Sequence, residues 1–220
     1  MGSPQSRRWI VLFGLLCGLV GEAHGQFHLR YVTCGSLVKL LNRRWDVRLH
    51  SHEVRYSGGS AQQSVTATEK QDDINSHWVV KGQTDTSCSR GDPIKCGDIV
   101  RLEHMPTKKN LHSHHFQSPL TNKQEISAYG DNGQGNSGDF WRVVCKTGHW
   151  ERDADVRLKH ADTEAWLSVS GKSYGKQLGG QLEVCGELAP YDESCLWRTA
   201  EGVFVKPGEG RLHIVKHTEL

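Results

Sequence analysis

At 220 residues, with 36% hydrophobic and 24% charged side chains, the chain has material for one large domain or two small ones. It is too polar for a polytopic membrane protein, and its 7 Trp argue against wholesale disorder. The 27 Lys and Arg against 25 Asp and Glu leave a net charge of +2, so no basic field marks nucleic acid as a partner.

The N-terminus comes first. Arg7 and Arg8 precede an apolar run from Trp9 to Val20, and the small residues Gly21, Ala23 and Gly25 follow. That order is the layout of a secretory signal peptide over residues 1–25. The run is short of the roughly 20 apolar residues that span a bilayer, so cleavage is expected and no membrane span afterwards. At the other end, His217-Thr218-Glu219-Leu220 resembles the H-D-E-L retrieval signal, with Thr in place of Asp. The two ends predict a protein of the endoplasmic reticulum lumen, with residues 208–220 as a tail.

Between them, residues 26–207 carry a motif written three times, over about 32–86, 94–149 and 150–206. Val38-Lys39-Leu40 leads to Val47-Arg48-Leu49-His50-Ser51-His52. Val100-Arg101-Leu102 leads to Asn110-Leu111-His112-Ser113-His114, and Val156-Arg157-Leu158 to Trp166-Leu167-Ser168-Val169-Ser170. Third strands follow at Gln63-Ser64-Val65-Thr66, Gln124-Glu125-Ile126-Ser127 and Leu182-Glu183-Val184-Cys185. Each copy closes on a tryptophan: Trp78, Trp141 and Trp197.

These runs alternate with period two between Gly, Asn, Asp and Ser turns, and no sustained helical period interrupts them. Asp92-Pro93 and Asn132-Gly133 read as turns. About twelve short strands in three four-strand units predict an all-β protein, a β-trefoil, because one unit leaves its apolar face half open. A sandwich would not require three copies. Leu49, Leu111 and Leu167, with the three repeated Trp, are the expected core. The unrepeated Trp45 and Trp150 are candidates for surface contact or for packing under a loop.

Cleavage of the leader removes Cys17 and leaves Cys34, Cys88, Cys96, Cys145, Cys185 and Cys195. An even count in an oxidising compartment predicts disulfides, and the absence of C-x-x-C gives no support to a thioredoxin-type or zinc-ribbon site. First and fourth strands of a trefoil unit lie side by side, which pairs Cys34 with Cys88 and Cys96 with Cys145. Cys185 and Cys195 are left as a third bridge in the last hairpin, or as free thiols able to form mixed disulfides with clients.

His50 and His52, like His112 and His114, share a strand face and could bind Zn with a third ligand. The third copy has Ser168 and Ser170 there, so a hydrogen-bonding role at a strand end is expected, with no metal and no cofactor. No catalytic motif is present, and Asp72 with Asp73, or Asp153 with Asp155, lie in predicted turns. A non-enzyme is expected.

Val32-Thr33-Cys34-Gly35-Ser36, Arg48-Leu49-His50-Ser51-His52, Gln62-Gln63-Ser64-Val65-Thr66 and Asn110-Leu111-His112-Ser113-His114-His115-Phe116 resemble MIR repeats. MIR modules occur in protein O-mannosyltransferases, inositol trisphosphate receptors and ryanodine receptors. From about Val32 to Pro207, and in its leader and tail, the chain is similar to the stromal cell-derived factor 2 family. The tail Thr and the pair Cys185 and Cys195 depart from that family's pattern. The resemblance implies a soluble luminal subunit of a chaperone complex, acting with a DnaJ-type co-chaperone, its heat-shock ATPase and unfolded client proteins. It also implies a link to O-mannosylation quality control, so a lectin-like module binding glycans is the alternative. The Q-x-W ending of ricin-type lectins is absent, because Ser76, Asp139 and Cys195 stand two residues before the Trp.

Overall fold

The structure, a computed structural model, describes residues 30–190 and 192–206. The leader and the retrieval residues His217, Thr218, Glu219 and Leu220 lie outside the described residues. Twelve strands make up the described fold. They are β1 (Leu37–Asn42), β2 (Val47–Arg55), β3 (Gln63–Thr68), β4 (Trp78–Gly82), β5 (Ile99–His104) and β6 (Asn110–Gln117). The second half holds β7 (Gln124–Tyr129), β8 (Trp141–Val144), β9 (Arg157–His160), β10 (Trp166–Ser173), β11 (Leu182–Glu187) and β12 (Trp197–Val203). Only short 3₁₀ turns supplement them, and among the described residues no helix is long and apolar enough to cross a membrane.

The pairings recur. Hairpins join β2 to β3, β6 to β7 and β10 to β11. First and fourth strands pair in the first two units, β1 with β4 and β5 with β8, and a Val156–Trp197 bridge does so in the third. β4 pairs with β5, β8 with β9, and β12 returns to β1 from Leu37–Val203 to Asn42–Trp197. The ladder therefore closes on itself, leaving no free edge along that path. At one end β3, β7 and β11 pair with one another, so the three hairpins share a cap. Asn132 (φ 48°) and Gly133 (φ 76°) form the turn expected of Asn-Gly, in the left-handed region that these two residues tolerate.

Alternation along the strands puts one face inward, and the expected core residues are all there. Leu49, Leu111, Leu167, Trp78, Trp141 and Trp197 are fully buried. Each indole finds the partner that a buried N–H requires. Trp78 Nε1 donates to the Leu49 carbonyl at 3.0 Å, Trp141 to Leu111 at 2.9 Å, and Trp197 to Leu167 at 2.9 Å. Trp150 is buried in the same core, whereas Trp45 is 38% exposed.

Cys34 is joined to Cys88 and Cys96 to Cys145, with Cα–Cα distances of 5.9 and 5.3 Å. The third bridge is corrected: Cys185 and Cys195 are buried free thiols. Cys185 faces Ser168 across the β10–β11 ladder, and the Cys195 thiol sits against the Ser168 and Ser194 hydroxyls instead of its expected partner.

Candidate functional site

Two junctions between successive repeats are closed by the same relay. Gln63, at the start of β3, donates to Ser51 Oγ and to Thr107 Oγ1 in the next repeat, both at 2.9 Å. Thr107 bonds His104 Nδ1 at 2.8 Å, and His104 Nε2 donates to the Asn75 carbonyl at 2.9 Å. One repeat later, Gln124 donates to Ser113 Oγ and Thr163 Oγ1 at 2.7 and 2.6 Å. His160 completes that relay between Thr163 and the Gly138 carbonyl, both at 2.8 Å. Burial lowers the affinity of both histidines for a proton, His104 to about 4, so each is a neutral ring that donates from Nε2 and accepts at Nδ1. At the third junction Asn42 Nδ2 donates to the Ser194 carbonyl at 2.6 Å, but Leu182 stands in place of the glutamine.

The paired histidines have the hydrogen-bonding role read from their positions. His50 Nδ1 lies 2.7 Å from Asp73 Oδ2, and His50 Nε2 lies 2.9 Å from His52 Nδ1. His112 Nδ1 lies 2.8 Å from Asp139 Oδ1, while His114 Nε2 donates to Glu125 Oε1 at 3.0 Å. His50 therefore has both nitrogens engaged within the protein. Asp73 does more than brace its own turn, since it takes the Ser76 hydroxyl at 2.6 Å as well as His50. Burial opposes its ionisation, but these two bonds outweigh it and hold the carboxyl below its ordinary value. Among the described residues no group of three or more metal-ligating side chains gathers.

The hairpin tips hand carboxylates and amides to one another in sequence. Ser60 of the first hairpin bonds Glu125 of the second through its hydroxyl and its backbone N–H. Leu120 and Thr121 of the second donate backbone N–H groups to Glu183 of the third, at 2.8 and 3.3 Å. Gln181 of the third accepts from Thr66 of the first at 2.6 Å. Where the tips meet lies a cavity of about 580 Å3 lined by Val54, Arg55, Tyr56, Pro119, Leu120, Tyr174 and Leu178, among others. A second, of about 350 Å3, opens between Phe116 and Leu188. Gln117 borders both cavities; exposed Val54 and Leu120 line the first, and exposed Phe116 and Leu188 (80% exposed) line the second.

Sequence reasoning singled out none of these four residues as a contact surface, and Phe116 entered only as part of a repeat motif. Their signal was available: Val54 and Phe116 hold equivalent places near the ends of β2 and β6, where the burial pattern has already turned outward. Apolar side chains on an outward stretch mark a contact face when they cluster.

The MIR domain family profile matches residues 45–193. Stromal cell-derived factor 2 of Mus musculus is 50% identical over 210 residues, spanning 96% of this chain and 99% of that protein. The crystal structure of the SDF2-like protein from Arabidopsis thaliana aligns with a TM-score of 0.78 at 40% identity, over 81% of this chain and 99% of the other. A chain of the S. cerevisiae protein O-mannosyltransferase Pmt1-Pmt2 complex bound to the sugar donor aligns with a TM-score of 0.73 at 25% identity. That match covers 83% of this chain and 27% of the other. The chain thus belongs to the stromal cell-derived factor 2 family of MIR-domain proteins.

Proposed function

We propose that this chain is a non-catalytic subunit of a chaperone complex in the endoplasmic reticulum lumen, acting with a DnaJ-type co-chaperone and its heat-shock ATPase on unfolded clients. Its domain, residues 26–207, is a β-trefoil of three MIR repeats, delivered by the leader and retrieved by His217, Thr218, Glu219 and Leu220. The observation that carries this reading is likeness to stromal cell-derived factor 2 over 96% of this chain and 99% of that protein. Exposed Val54, Phe116, Leu120 and Leu188 support it, because a subunit that holds a partner or an unfolded segment needs accessible apolar surface.

Affinity capture of the full chain from a luminal extract tests the proposal. A DnaJ-type protein and a heat-shock ATPase are expected to co-purify, undiminished by added sugars, and to fall away when Phe116 and Leu188 are both changed to Ser. Capture that recovers neither protein refutes it.

A further inference from the structure

The three hairpins close their loops with equivalent backbone bonds. Tyr56 N–H donates to the Gln62 carbonyl, Ser118 N–H to Lys123 and Tyr174 N–H to Gln181, at 3.0, 2.7 and 3.0 Å. The first and third hairpins thus place a tyrosine at this position, and the second places a serine. The Tyr56 hydroxyl lies 2.9 Å from both the Val65 and Ile126 carbonyls, which ties its ring across two hairpins. Tyr174 stands beside it, and burial raises the pKa of both phenols, so both rings stay neutral. Ser118, 1% exposed, bonds Thr121 Oγ1 at 3.1 Å and brings no ring to the cap.

With one ring of three missing, the shared cap is not filled. Both neighbours of Ser118, Gln117 and Pro119, stand on the wall of the cavity of about 580 Å3. Val54, Tyr56, Leu120, Tyr174 and Leu178 make most of the remaining wall apolar, and two of them present rings. The volume falls within the roughly 300–1,000 Å3 of sites for small organic molecules. Aromatic side chains take a further ring in offset or edge-to-face contact, which contributes beyond the area buried.

The charge on this wall has one sign. Among the described residues lining the cavity Arg55 alone is charged; it is exposed and makes no ion pair with another of them. Glu125 approaches from beneath Gly59, where an added Cβ would collide with its carboxylate. That carboxylate is already taken by Ser60 and His114. An anion in the cavity therefore gains a guanidinium partner, whereas a cation meets repulsion.

We infer that the cap cavity binds a small aromatic carboxylate, its ring against Tyr56, Tyr174 and Leu120 and its acid group at Arg55. The inference goes beyond the chaperone reading and does not depend on it, although Val54 and Leu120 contribute to both.

The test titrates isotopically labelled residues 26–220 with 3-phenylpropionate, using propionate and 2-phenylethylamine as controls. Phenylpropionate is expected to bind saturably and to shift the amide resonances of Tyr56, Leu120 and Leu178. Propionate is expected to be inert and phenylethylamine weaker. Arg55→Gln is expected to weaken phenylpropionate on the order of threefold and to erase its advantage over phenylethylamine. Val54→Glu is expected to abolish binding, because it sets a carboxylate beside the guanidinium at a position that is 50% exposed. Amide dispersion equal to that of the parent checks that both variants fold. No saturable binding, equal binding of either control, shifts confined to other residues, or unchanged binding by both variants overturns the inference. Co-chaperone capture by the unaltered chain, run in parallel, separates failure of this site from failure of the chaperone role.

Discussion

Gln63 and Thr107 are 44 residues apart in sequence and joined by a 2.9 Å hydrogen bond. The bond fastens the third strand of one repeat to the first turn of the next. Gln63→Leu is expected to cost about 1–3 kcal/mol, because it leaves buried acceptors on Ser51 and Thr107 without their donor. Thr107→Val is expected to cost a similar amount, and the double variant less than the sum of the two. Urea denaturation of the four proteins in the cycle measures this; strict additivity would show that the relay does not act as a unit.

The repeated tryptophans make a second prediction. Trp141→Phe keeps an aromatic ring but strands the buried Leu111 carbonyl and leaves a void, a loss of about 2–4 kcal/mol. Trp78→Phe and Trp197→Phe are expected to fall within about 1 kcal/mol of it, since all three indoles are fully buried and equally bonded. Denaturant midpoints compared across the three variants check this.

Thiol chemistry separates the two kinds of cysteine. On residues 26–220, a maleimide reagent is expected to label neither Cys185 nor Cys195 in the native state, because burial pushes the Cys185 thiol up to about 12 and raises Cys195 as well. In denaturant without reductant, two thiols per chain are expected. Replacing both Cys96 and Cys145 by Ser removes a crosslink of sequence separation 49 and is expected to cost about 4 kcal/mol in the chain-entropy description. A denatured chain with no reactive thiol would instead reveal the third bridge.

Stability is expected to fall as the medium is acidified, in two stages. Burial holds His104 down to about 4, against an ordinary value of 6.5, and lowers His160 too. As pH drops below 6.5 the unfolded chain binds protons that the folded chain refuses, so the folded state loses ground down to about 4. The steepest slope is about 1.4 kcal/mol per pH unit for each histidine. Asp73 and Glu125 add a lower window. Burial alone would raise both, but the hydroxyl and imidazole bonds prevail, so their contribution is lost as pH falls through the lowered values. Urea midpoints from neutral pH down to about 4 test the first stage, with His104→Asn flattening the slope because Asn42 already fills the equivalent place.

Spacing along the chain revealed the strand sets, the inward leucines and tryptophans and two of the bridges, because strand alternation and strand-end cysteines are local signals. The relays could not be read the same way. Gln63 and Thr107, or Gln124 and Thr163, belong to different repeats, and only the closed arrangement brings them together. Asp73 looked like a turn residue because half of its bonding is local, through Ser76, while its His50 partner lies 23 residues away. Cys185 and Cys195 share a hairpin region, which made a bridge plausible on sequence alone. The Cys195 thiol lies against the Ser168 and Ser194 hydroxyls, and Ser168 stands where the other repeats carry His50 and His112. Trp45 and Trp150 were indistinguishable on sequence alone, yet Trp150 became core and Trp45 stayed partly exposed.

The return of β12 to β1 also governs how the chain can be made. Leu37 pairs with Val203, so the outer edge of the first strand has no partner until the last strand has been synthesised. During synthesis from the N-terminus, that edge and its buried side chains Val38 and Leu40 must wait for nearly the whole chain. Assembly is therefore a ring closure completed by its final segment, and the apolar edge of the first strand stays exposed until that segment arrives.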